Sequence, residues 1–578
     1  SLSQEAMVGN YGLQRYTTTL QTANDRSSML LNYGRQKSDG YFQHNKSHKD
    51  FVNLVSEFQP GEKQSILAYA GFADSYDERG GEQTITQYQA GNDSGNIEYI
   101  KRNAHSHLVS YRAGAGNTYA LTNWLSNTTS LFGTGLVGDA SSAAGWTDRV
   151  SINYGTRSVF NTKFALSNSV SLNGLTGFEL QRQNVQVQGF NMKADPAAAN
   201  QNIANWKYGE PYLVINANTS NTVSVSSTSS IFTEWTATLP QDISITAGVG
   251  FSTMKIRLED RFNPATATKP AVFTKTYKNM VSPHFAVNKV FNKMISVYFS
   301  YSRGYKAPVS SYFYTPIAAV GANAATAQVD SSLKPEIGDQ FEIGAKGSVL
   351  NNKLYYELAA FYAKFKDKMT AIAVRNPNDA SGGTLYTIMA NGGSQDHKGL
   401  ELLLKYTAIQ SENGFIRSIK PFGNLTYSDF KYKNFHIEST VKRAAPNQTK
   451  DSAVITDYSG YAVAGVPKFT ANLGVDFQLK YGFYGNITYA YRDVMTITSN
   501  GVVSGSPFTT PAYSLLNTKI GFQQSFGKHF DLDVFVGVNN ITSTQYPIKV
   551  FVNQLPDAFV PGPAKAGFFG GLNVKYNF

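Results

Sequence analysis

The sequence predicts an all-β protein, a transmembrane antiparallel β-barrel, from two features of its strands and one of its loops. Apolar and polar residues alternate over long segments, as in FTANLGVDFQL, where Phe469, Leu473 and Phe477 share one face of a strand. Such segments run for about 9 to 13 residues, the length that a tilted strand needs to cross a bilayer, and soluble strands are about half as long.

The connecting segments differ strongly in length. Short turns, such as those near 59–63, 351–353 and 527–529, alternate with long polar segments. The long segments fall near 78–103, 192–225, 262–278, 308–333, 432–465 and 547–564. One rim of tight turns and one of long loops is typical of an outer-membrane barrel, with the short turns in the periplasm.

Composition favours one large membrane architecture. The 578 residues show no linker or change of composition, so we predict a single barrel domain over residues 1–578. Aromatic residues make up 13% of the chain and charged residues only 16%, against about 25% charged residues in soluble domains. Without cysteine, disulfides, thiolate zinc sites and thiol nucleophiles are excluded. No apolar run approaches the roughly 18 residues of a membrane helix, so strands would cross the membrane.

The predicted number of strands is odd, which conflicts with barrel closure. Counting between connectors gives about 21 strands, whereas bacterial single-chain barrels have an even number. With MVGNYGLQRYTTTLQ as the first strand, the N-terminus lies outside the cell. We therefore expect one strand upstream of this sequence and about 22 in the full protein, a size whose lumen accommodates a plug. A miscounted strand is the alternative explanation.

The chain ends on a strand with one apolar face, GFFGGLNVKYNF. Phe568, Leu572, Tyr576 and Phe578 alternate with polar residues, so they are predicted to face lipid. Because unpaired backbone groups are costly in lipid, this strand is expected to pair with the first one. Tyr576 and Phe578 are then predicted to lie in a periplasmic aromatic girdle.

Several segments resemble successive barrel segments of TonB-dependent outer-membrane receptors. They are YSRGYKAP at 301–308, LKPEIGDQFEIGAKGSVLNNKLYYELAAFYAKFKDKM at 333–369, NGGSQDHKGLELLLKY at 391–406, GVNNITSTQYP at 537–547 and the final VKYNF. Their order and spacing match the family over essentially the whole chain. The segment GLTGFELQRQNVQVQGFNM at 174–192 is similar to the ferric-citrate and siderophore branch.

The resemblance implies an active transporter in the outer membrane of a Gram-negative bacterium. It implies import of a scarce ligand, a ferric siderophore or ferric citrate, driven by the TonB–ExbB–ExbD complex. It also implies an N-terminal plug domain, which we expect upstream of this sequence together with the first strand. The terminal aromatic residues Tyr576 and Phe578 resemble the family's signal for barrel insertion. Iron would arrive as a bound chelate, so no cofactor is expected.

The candidate ligand-binding residues are aromatic and basic residues of the predicted extracellular loops. The formal charge of +11 favours an anionic ligand. Contact between cationic residues at the outer rim and lipopolysaccharide phosphates explains this charge equally well. Rings can stack on an iron chelate, and bases can donate hydrogen bonds to it. The candidates are Trp206, Tyr208, Tyr212, Tyr312, Phe313, Tyr314, Arg375, Lys442 and Arg443. Extracellular loops of any barrel are rich in tyrosine, which is the alternative interpretation.

Two histidines raise the question of a metal site. His105 and His107 lie two residues apart on a predicted strand and therefore on one face, where they could bind a metal or form a polar lumen wall. We expect the polar wall and no metal site. Haem receptors of the family tend to carry a histidine in the loop that follows RGYKAP. Residues 305–333 contain none, which favours a siderophore over haem.

The motifs of common enzyme classes are absent. The sequence has no H-E-x-x-H, no G-x-S-x-G and no phosphate-binding glycine loop, so we predict that the protein is not an enzyme. The alternative to an importer is a passive pore or a structural barrel subunit of a larger outer-membrane complex. The expected partners are membrane lipid, lipopolysaccharide, the energy-coupling complex and a ferric chelate, with a surface lipoprotein as a further candidate and no nucleic acid.

Overall fold

The protein is built almost entirely of antiparallel strands. The computed structural model describes residues 1–195, 213–265, 269–316, 327–375, 384–441, 452–498, 508–552 and 557–578. In chain order the elements are β1 (Leu2–Gly9), β2 (Leu13–Ala23), β3 (Ser27–Ser38), β4 (Ser47–Gly61), β5 (Gln64–Glu78), β6 (Gln83–Thr84), α1 (Ile85–Gln89), α2 (Ile97–Ile100), β7 (His105–Ala120), β8 (Leu125–Ser142), β9 (Gly145–Ser167), β10 (Val170–Ala194), β11 (Leu213–Leu239), β12 (Ile243–Asp260), β13 (Val272–Phe291), β14 (Ile295–Lys306), β15 (Tyr314–Pro316), β16 (Ala327–Val329), β17 (Glu336–Val349), β18 (Leu354–Lys366), β19 (Met369–Arg375), β20 (Thr384–Asn391), β21 (Ser394–Tyr406), β22 (Ile409–Gln410), β23 (Ile416–Lys433), β24 (His436–Val441), β25 (Ser452–Asp457), β26 (Phe469–Leu479), β27 (Phe483–Arg492), β28 (Met495–Thr496), β29 (Thr509–Thr510), β30 (Tyr513–Phe526), β31 (Phe530–Asn539), β32 (Pro547–Val550), β33 (Asp557–Pro561) and β34 (Gly567–Tyr576). Short 3-10 helices occupy Pro240–Asp242, Ser310–Phe313 and Lys480–Gly482.

Twenty-two of the strands close into a barrel. The last strand, β34, is antiparallel to β1, with Leu2 opposite Tyr576, so the sheet has no open edge. The barrel strands are β1–β5, β7–β14, β17, β18, β21, β23, β26, β27, β30, β31 and β34, and the two-residue β22 is added beside β23. The other short strands lie in the loops. Among the described helices, none has the length and apolar character required to span a membrane.

The predicted count of about 21 strands in this chain, with the first strand missing upstream, is wrong. Residues Leu2–Gly9 are the first strand, and Leu13–Ala23 is the second. The segment interpreted as one strand bends between them, where Tyr11 (φ 58°) and Gly12 (φ 64°) adopt the left-handed conformation of a tight hairpin. The N-terminus therefore lies on the same rim as the C-terminus, and not outside the cell as the count implied.

The barrel has one apolar face and one polar face. Tyr33, Val52, Phe72 and Tyr111 lie in register on four neighbouring strands and are exposed. The opposite face of these strands carries polar side chains among its aromatic rings, such as Arg112, which donates to Asn53 Oδ1 (3.0 Å). In a membrane barrel the apolar face contacts lipid and the polar face lines the lumen. We call these faces outward and inward.

Exposed and half-buried aromatic rings follow the rim of short turns on the outward face. Trp124 stacks on Phe164 (5.3 Å between ring centroids), and Phe164 on Trp235 (6.4 Å). Tyr576 and Phe578 belong to the same rim, and they are 39% and 68% exposed. Amphipathic rings at this level mark the interface between lipid and water. This position agrees with the predicted girdle, whereas the role of these two residues in insertion stays a prediction.

On the inward face, aromatic rings lie over glycines of the neighbouring strand. A Cβ atom added to Gly537 would lie 2.2 Å from the ring of Phe569, and one added to Gly571 would lie 2.5 Å from the ring of Phe535. The absence of side chains at the glycines lets the rings lie flat against the wall. Further inward pairs include Gly34 with Phe51, Gly114 with Tyr69, Gly155 with Phe132, Gly338 with Phe365, Gly344 with Tyr298, Gly399 with Phe361, Gly474 with Phe422, and Gly521 with Tyr484.

Several strands run beyond the apolar band into segments predicted as loops. The sequence predicts a loop over 192–225, but β10 continues to Ala194 and β11 begins at Leu213. Likewise β13 begins at Val272, inside the predicted loop 262–278. Strands that rise above the membrane have water on both faces, so their sequences lose the apolar alternation by which strands are recognised.

Candidate functional site

The long loops stand on the rim opposite the aromatic girdle, and the described parts of three of them pack together. Loops 79–104, 493–512 and 540–566 share a buried cluster of Tyr88, Ile497, Ala558 and Phe559. The rings of Tyr88 and Phe559 stack with centroids 5.0 Å apart. Strand β33 pairs with both β32 and β6, which joins the first loop to the last. We call these three loops the loop bundle.

Local capping holds the first loop in this position. Thr84 caps helix α1 by accepting a hydrogen bond from the backbone N–H of Gln87, and the Gln87 side chain accepts one from the backbone N–H of Thr84. The Gln545 side chain donates to the carbonyl of Tyr88. Burial raises the pKa of the Tyr88 phenol, so this ring stays neutral. The described parts of the loop bundle are therefore joined to one another by apolar packing, strand pairing and hydrogen bonds.

Loop 39–46 is attached to the loop bundle. The Tyr41 hydroxyl donates to the carbonyl of Pro561 (2.6 Å), and burial raises the pKa of this phenol. His44 is buried, and its Nε2 donates to the carbonyl of Ala104 (2.8 Å). Burial lowers the pKa of His44, against the opposing effect of the Glu78 carboxylate, so the neutral ring is favoured.

Acidification should loosen this attachment. The pKa of His44 is lower in the folded protein than the unfolded value of about 6.5, so its contribution to stability is complete above that pH and falls below it. We expect proteolysis within loop 79–104 to accelerate between pH 6.5 and 5, by at most about tenfold per pH unit. His44→Gln should abolish this dependence because its amide can still donate to Ala104. The exposed His436→Gln is the matched control, and an unchanged pH profile in His44→Gln would contradict the assignment.

A second loop is anchored on the wall of β12 and β13. Phe313 and Leu333 are buried against Ile256, Leu258, Tyr277 and Met280. The Tyr277 hydroxyl donates to the carbonyl of Leu333 (2.7 Å). Tyr312 packs beside this cluster and is partly buried. Phe313 is fully buried in this cluster, where it packs the described base of loop 307–335 against the wall.

Glu336, within a segment that resembles the family, has a structural position. Its side chain is buried, Oε1 accepts a hydrogen bond from the backbone N–H of Met369 (2.6 Å), and Oε2 lies 3.2 Å from Lys368 Nζ. The carboxylate thus joins the start of β17 to the loop that follows β18. Because the Glu336 carboxylate contacts both Lys368 and the backbone of Met369, it fixes the direction in which this loop leaves the barrel.

Aromatic rings also line the upper inward wall. His397 stacks on Phe430 with centroids 4.0 Å apart, and Phe365 lies 4.7 Å from His397. Lys368 Nζ is 4.9 Å from the centre of the Phe365 ring. These residues were missed in the sequence. The alternation of the sequence could have assigned Phe361, Phe365 and His397 to the inward face of β18 and β21. Only the pairing of these strands shows that the residues are neighbours.

Three cationic side chains from the first 150 residues also line the inward wall. Lys49, Arg112 and Arg149 are exposed on the inward face of β4, β7 and β9. Within the described residues none of them forms an ion pair. Amide and hydroxyl side chains of Asn53, Ser151, Asn153 and Gln183 lie among them. We call this surface the inner basic wall. Unpaired cations with amide donors suit an anionic ligand.

Of the predicted ligand residues, the structure describes the side chains of Tyr312 and Phe313. Trp206, Tyr208, Tyr212, Lys442 and Arg443 lie outside the described residues. Tyr314 starts β15 opposite Val329, and Arg375 ends β19 opposite Thr384, and their side chains are likewise outside the description. Tyr312 and Phe313 share one loop base. The ligand role of the set stays a prediction.

His105 and His107 share one face, as predicted, but this face is outward and not a lumen wall. It carries Val109 and Tyr111 further down the same strand. His105 Nε2 lies 2.9 Å from Asp139 Oδ1, and His107 Nε2 lies 3.0 Å from Asp74 Oδ1. Among the described residues, no group of three or more His, Asp or Glu side chains has an arrangement suited to a metal ion.

One family of known proteins matches most of this chain. The family model of the TonB dependent receptor-like β-barrel matches residues 10–541. A comparison with curated protein sequences gives no significant match.

Solved structures with the same architecture are distant in sequence. The ferric citrate transporter FecA in its unliganded form superposes with a TM-score of 0.74 at 14% identity, over 100% of this chain and 78% of that one. The siderophore receptor PiuA from Acinetobacter baumannii gives 0.74 and 14%, over 100% and 81%. The copper transporter OprC gives 0.68 and 13%, over 100% and 80%. At these identities the likeness concerns the fold.

Proposed function

We propose, from the premise that this chain belongs to the family of TonB dependent receptor-like β-barrels, that it imports an anionic ferric chelate, a ferric siderophore or ferric citrate. The family places the chain in the outer membrane of a Gram-negative bacterium and makes it a transporter and not an enzyme. Iron enters as part of the transported chelate, so it is a substrate and not a cofactor.

The inner basic wall carries the proposal for an anionic ligand. Lys49, Arg112 and Arg149 face the lumen without ion partners among the described residues. In a lumen surrounded by lipid, unpaired positive charge attracts anions and raises their local concentration. Ferric citrate and carboxylate or catecholate chelates of iron are anions with oxygen acceptors, which arginine and lysine can bind through charge-assisted hydrogen bonds.

Energy coupling completes the proposed mechanism. Ligand binds to the loops and to the top of a plug within the barrel, loop closure prevents escape, and the TonB–ExbB–ExbD complex pulls on the plug to open the lumen. Lipopolysaccharide and, as a further candidate, a surface lipoprotein contact the outside of the barrel. The similarity to the ferric citrate transporter FecA and the siderophore receptor PiuA supports this class of ligand.

A passive pore or a structural barrel subunit is the alternative function. The exposed cations of the inner basic wall would also suit an anion-selective channel. Intact mass and N-terminal sequence of the protein from its native membrane separate the two functions. Upstream residues amounting to a plug, in a protein well above 63.3 kDa, support the gated importer. A protein of this mass alone supports the pore.

Transport of a ferric chelate tests the ligand class. Replacing Lys49, Arg112 and Arg149 together by glutamine should reduce uptake of ⁵⁵Fe-citrate by at least about tenfold, since the loss of even one charge-assisted hydrogen bond costs about 1.5–3 kcal/mol. The matched control is Arg35→Gln, an outward cation of β3 that lies 3.7 Å from Asp50. Uptake should stop when the proton gradient is collapsed. Unchanged uptake in the triple variant would contradict an anionic ligand on this wall.

A further inference from the structure

The outward face of β9–β12 changes from apolar to cationic over a short distance. Phe178, Ile231 and Phe251 lie in register on three of these strands and are 40%, 64% and 53% exposed. Two residues further toward the loops, the same face carries Leu180, Ser229 and Thr253 in register. An apolar row followed by hydroxyl groups marks the level at which lipid chains give way to headgroups.

The next row on this face is cationic. Arg182 of β10 pairs with Ser227 of β11, and Ser227 pairs with Lys255 of β12. Both cations are exposed. Strands are spaced by about 4.8 Å, so the two cationic residues are roughly 10 Å apart at the backbone, with a hydroxyl between them. Side chains of this length can converge on one anionic group.

Neither Arg182 nor Lys255 lies opposite an acidic residue: Arg182 faces Tyr154 and Ser227, and Lys255 faces Ser227 and Thr276. Elsewhere on the outward face, charges alternate in one register row: Arg303, Asp339, Lys364, Asp396 and Lys431. In that row Arg303 Nε lies 2.7 Å from Asp339 Oδ1. Within the described residues, Arg182 and Lys255 form no such ion pair. Their charges therefore remain available to an external anion.

A groove connects the apolar and cationic rows. It has a volume of about 510 Å³, and its lining includes Leu131, Tyr154, Leu180, Arg182, Ser227 and Lys255. Leu131 and Leu180 form the lower, aliphatic part, and the upper part, where Tyr154 lies opposite Arg182, offers an aromatic ring, two positive charges and hydroxyl groups. This order matches an amphiphile with acyl chains below and an anionic headgroup above.

We propose that this outward groove binds a phosphorylated glycolipid of the outer leaflet. Its phosphate lies between Arg182 and Lys255, the Ser227 hydroxyl donates to it, and its acyl chains cover Leu180, Ile231 and Phe251. The site rests on the location of the barrel in the outer membrane and not on the transported ligand. This site would hold one lipid at a defined position on the barrel. The row of alternating charges near Arg303 would not, because its charges pair with one another.

Binding of a defined lipid to the purified full-length protein tests the site. The probe is bisphosphorylated lipid A in detergent micelles, followed by native mass spectrometry. Arg182→Gln/Lys255→Gln should bind it at least about tenfold more weakly than the wild type, because the loss of even one of the two charge-assisted contacts has an effect of this size. The matched control, Lys364→Gln/Lys431→Gln, removes two outward cations that lie opposite aspartates and should change binding less than twofold. The charge-preserving Arg182→Lys/Lys255→Arg should keep most of the affinity.

Three outcomes of these experiments would overturn the proposal. Tight binding by the Gln double variant, or equal binding of dephosphorylated lipid A by the wild type, would overturn the proposal and leave only apolar contact with lipid. A second copy of the chain in the groove, detected as a dimer that persists without lipid A, would also overturn it. Folding of every variant is checked by the heat-dependent mobility of the barrel on gels. Loss of ⁵⁵Fe-citrate uptake alone would bear on the proposed transport function and not on this site.

Discussion

Phe559→Ala should open the loop bundle while leaving the barrel intact. The ring is fully buried and stacks on Tyr88, so its removal leaves a cavity between loops 79–104 and 540–566. Truncation of a buried phenylalanine costs about 3–5 kcal/mol. Because the bundle packs on itself, this cost should fall on local opening. Amide hydrogen exchange in both loops should accelerate by about two to three orders of magnitude.

An exposed residue of the same sheet provides the control. Ile548 of β32 is 55% exposed, so Ile548→Ala should change exchange in these loops little. Exchange in β34 should be the same in both variants, since the barrel strands do not depend on the loops for their hydrogen bonds. If Phe559→Ala leaves both loops protected, the buried cluster does not hold the loop bundle together.

Gly571→Val should weaken closure of the barrel. Its Cβ would lie 2.5 Å from the ring of Phe535 and 3.0 Å from the carbonyl oxygen of Ala6, so it meets both neighbouring strands. Overpacking typically costs about 1–3 kcal/mol, and here it acts on the strand that seals the sheet. The heat needed to unfold the barrel on gels should fall, and less protein should assemble in the membrane.

Two further variants isolate the cause. Gly567→Val lies in the same strand with no atom near its added Cβ, so it should assemble as the wild type does. Gly571→Val/Phe535→Ala removes the ring and should recover part of the loss, which measures the coupling directly. Assembly that falls equally in Gly567→Val and Gly571→Val would show that glycine is needed for a reason other than the ring.

The sequence predicts the barrel well because residues of a membrane strand alternate between the apolar face toward lipid and the more polar face toward the lumen. The error in strand number arose where a turn replaced alternation: Tyr11 adopts a left-handed conformation that is uncommon for a residue other than glycine. The strands above the membrane were predicted as loops because serine, threonine and asparagine occupy both of their faces. Solvation of both faces removes the signal, although backbone pairing continues.

The candidate site could be predicted only as a type of chemistry. Phe313 has the composition of an exposed loop aromatic, yet burial depends on Ile256 and Tyr277, which are distant in the sequence. Lys49, Arg112 and Arg149 form one wall only through the register of strands β4–β9. For His105 the two-residue spacing gives a shared face, but not which face is outward.

The rings that lie flat over glycines have a consequence for movement through the lumen. A phenylalanine held across a neighbouring glycine, such as Phe569 over Gly537, has only two torsions and little room to turn. A wall of such rings presents stiff facets in place of long flexible chains. A molecule or domain that moves through the lumen restricts few side-chain torsions of these rings. Its passage therefore costs little side-chain conformational entropy.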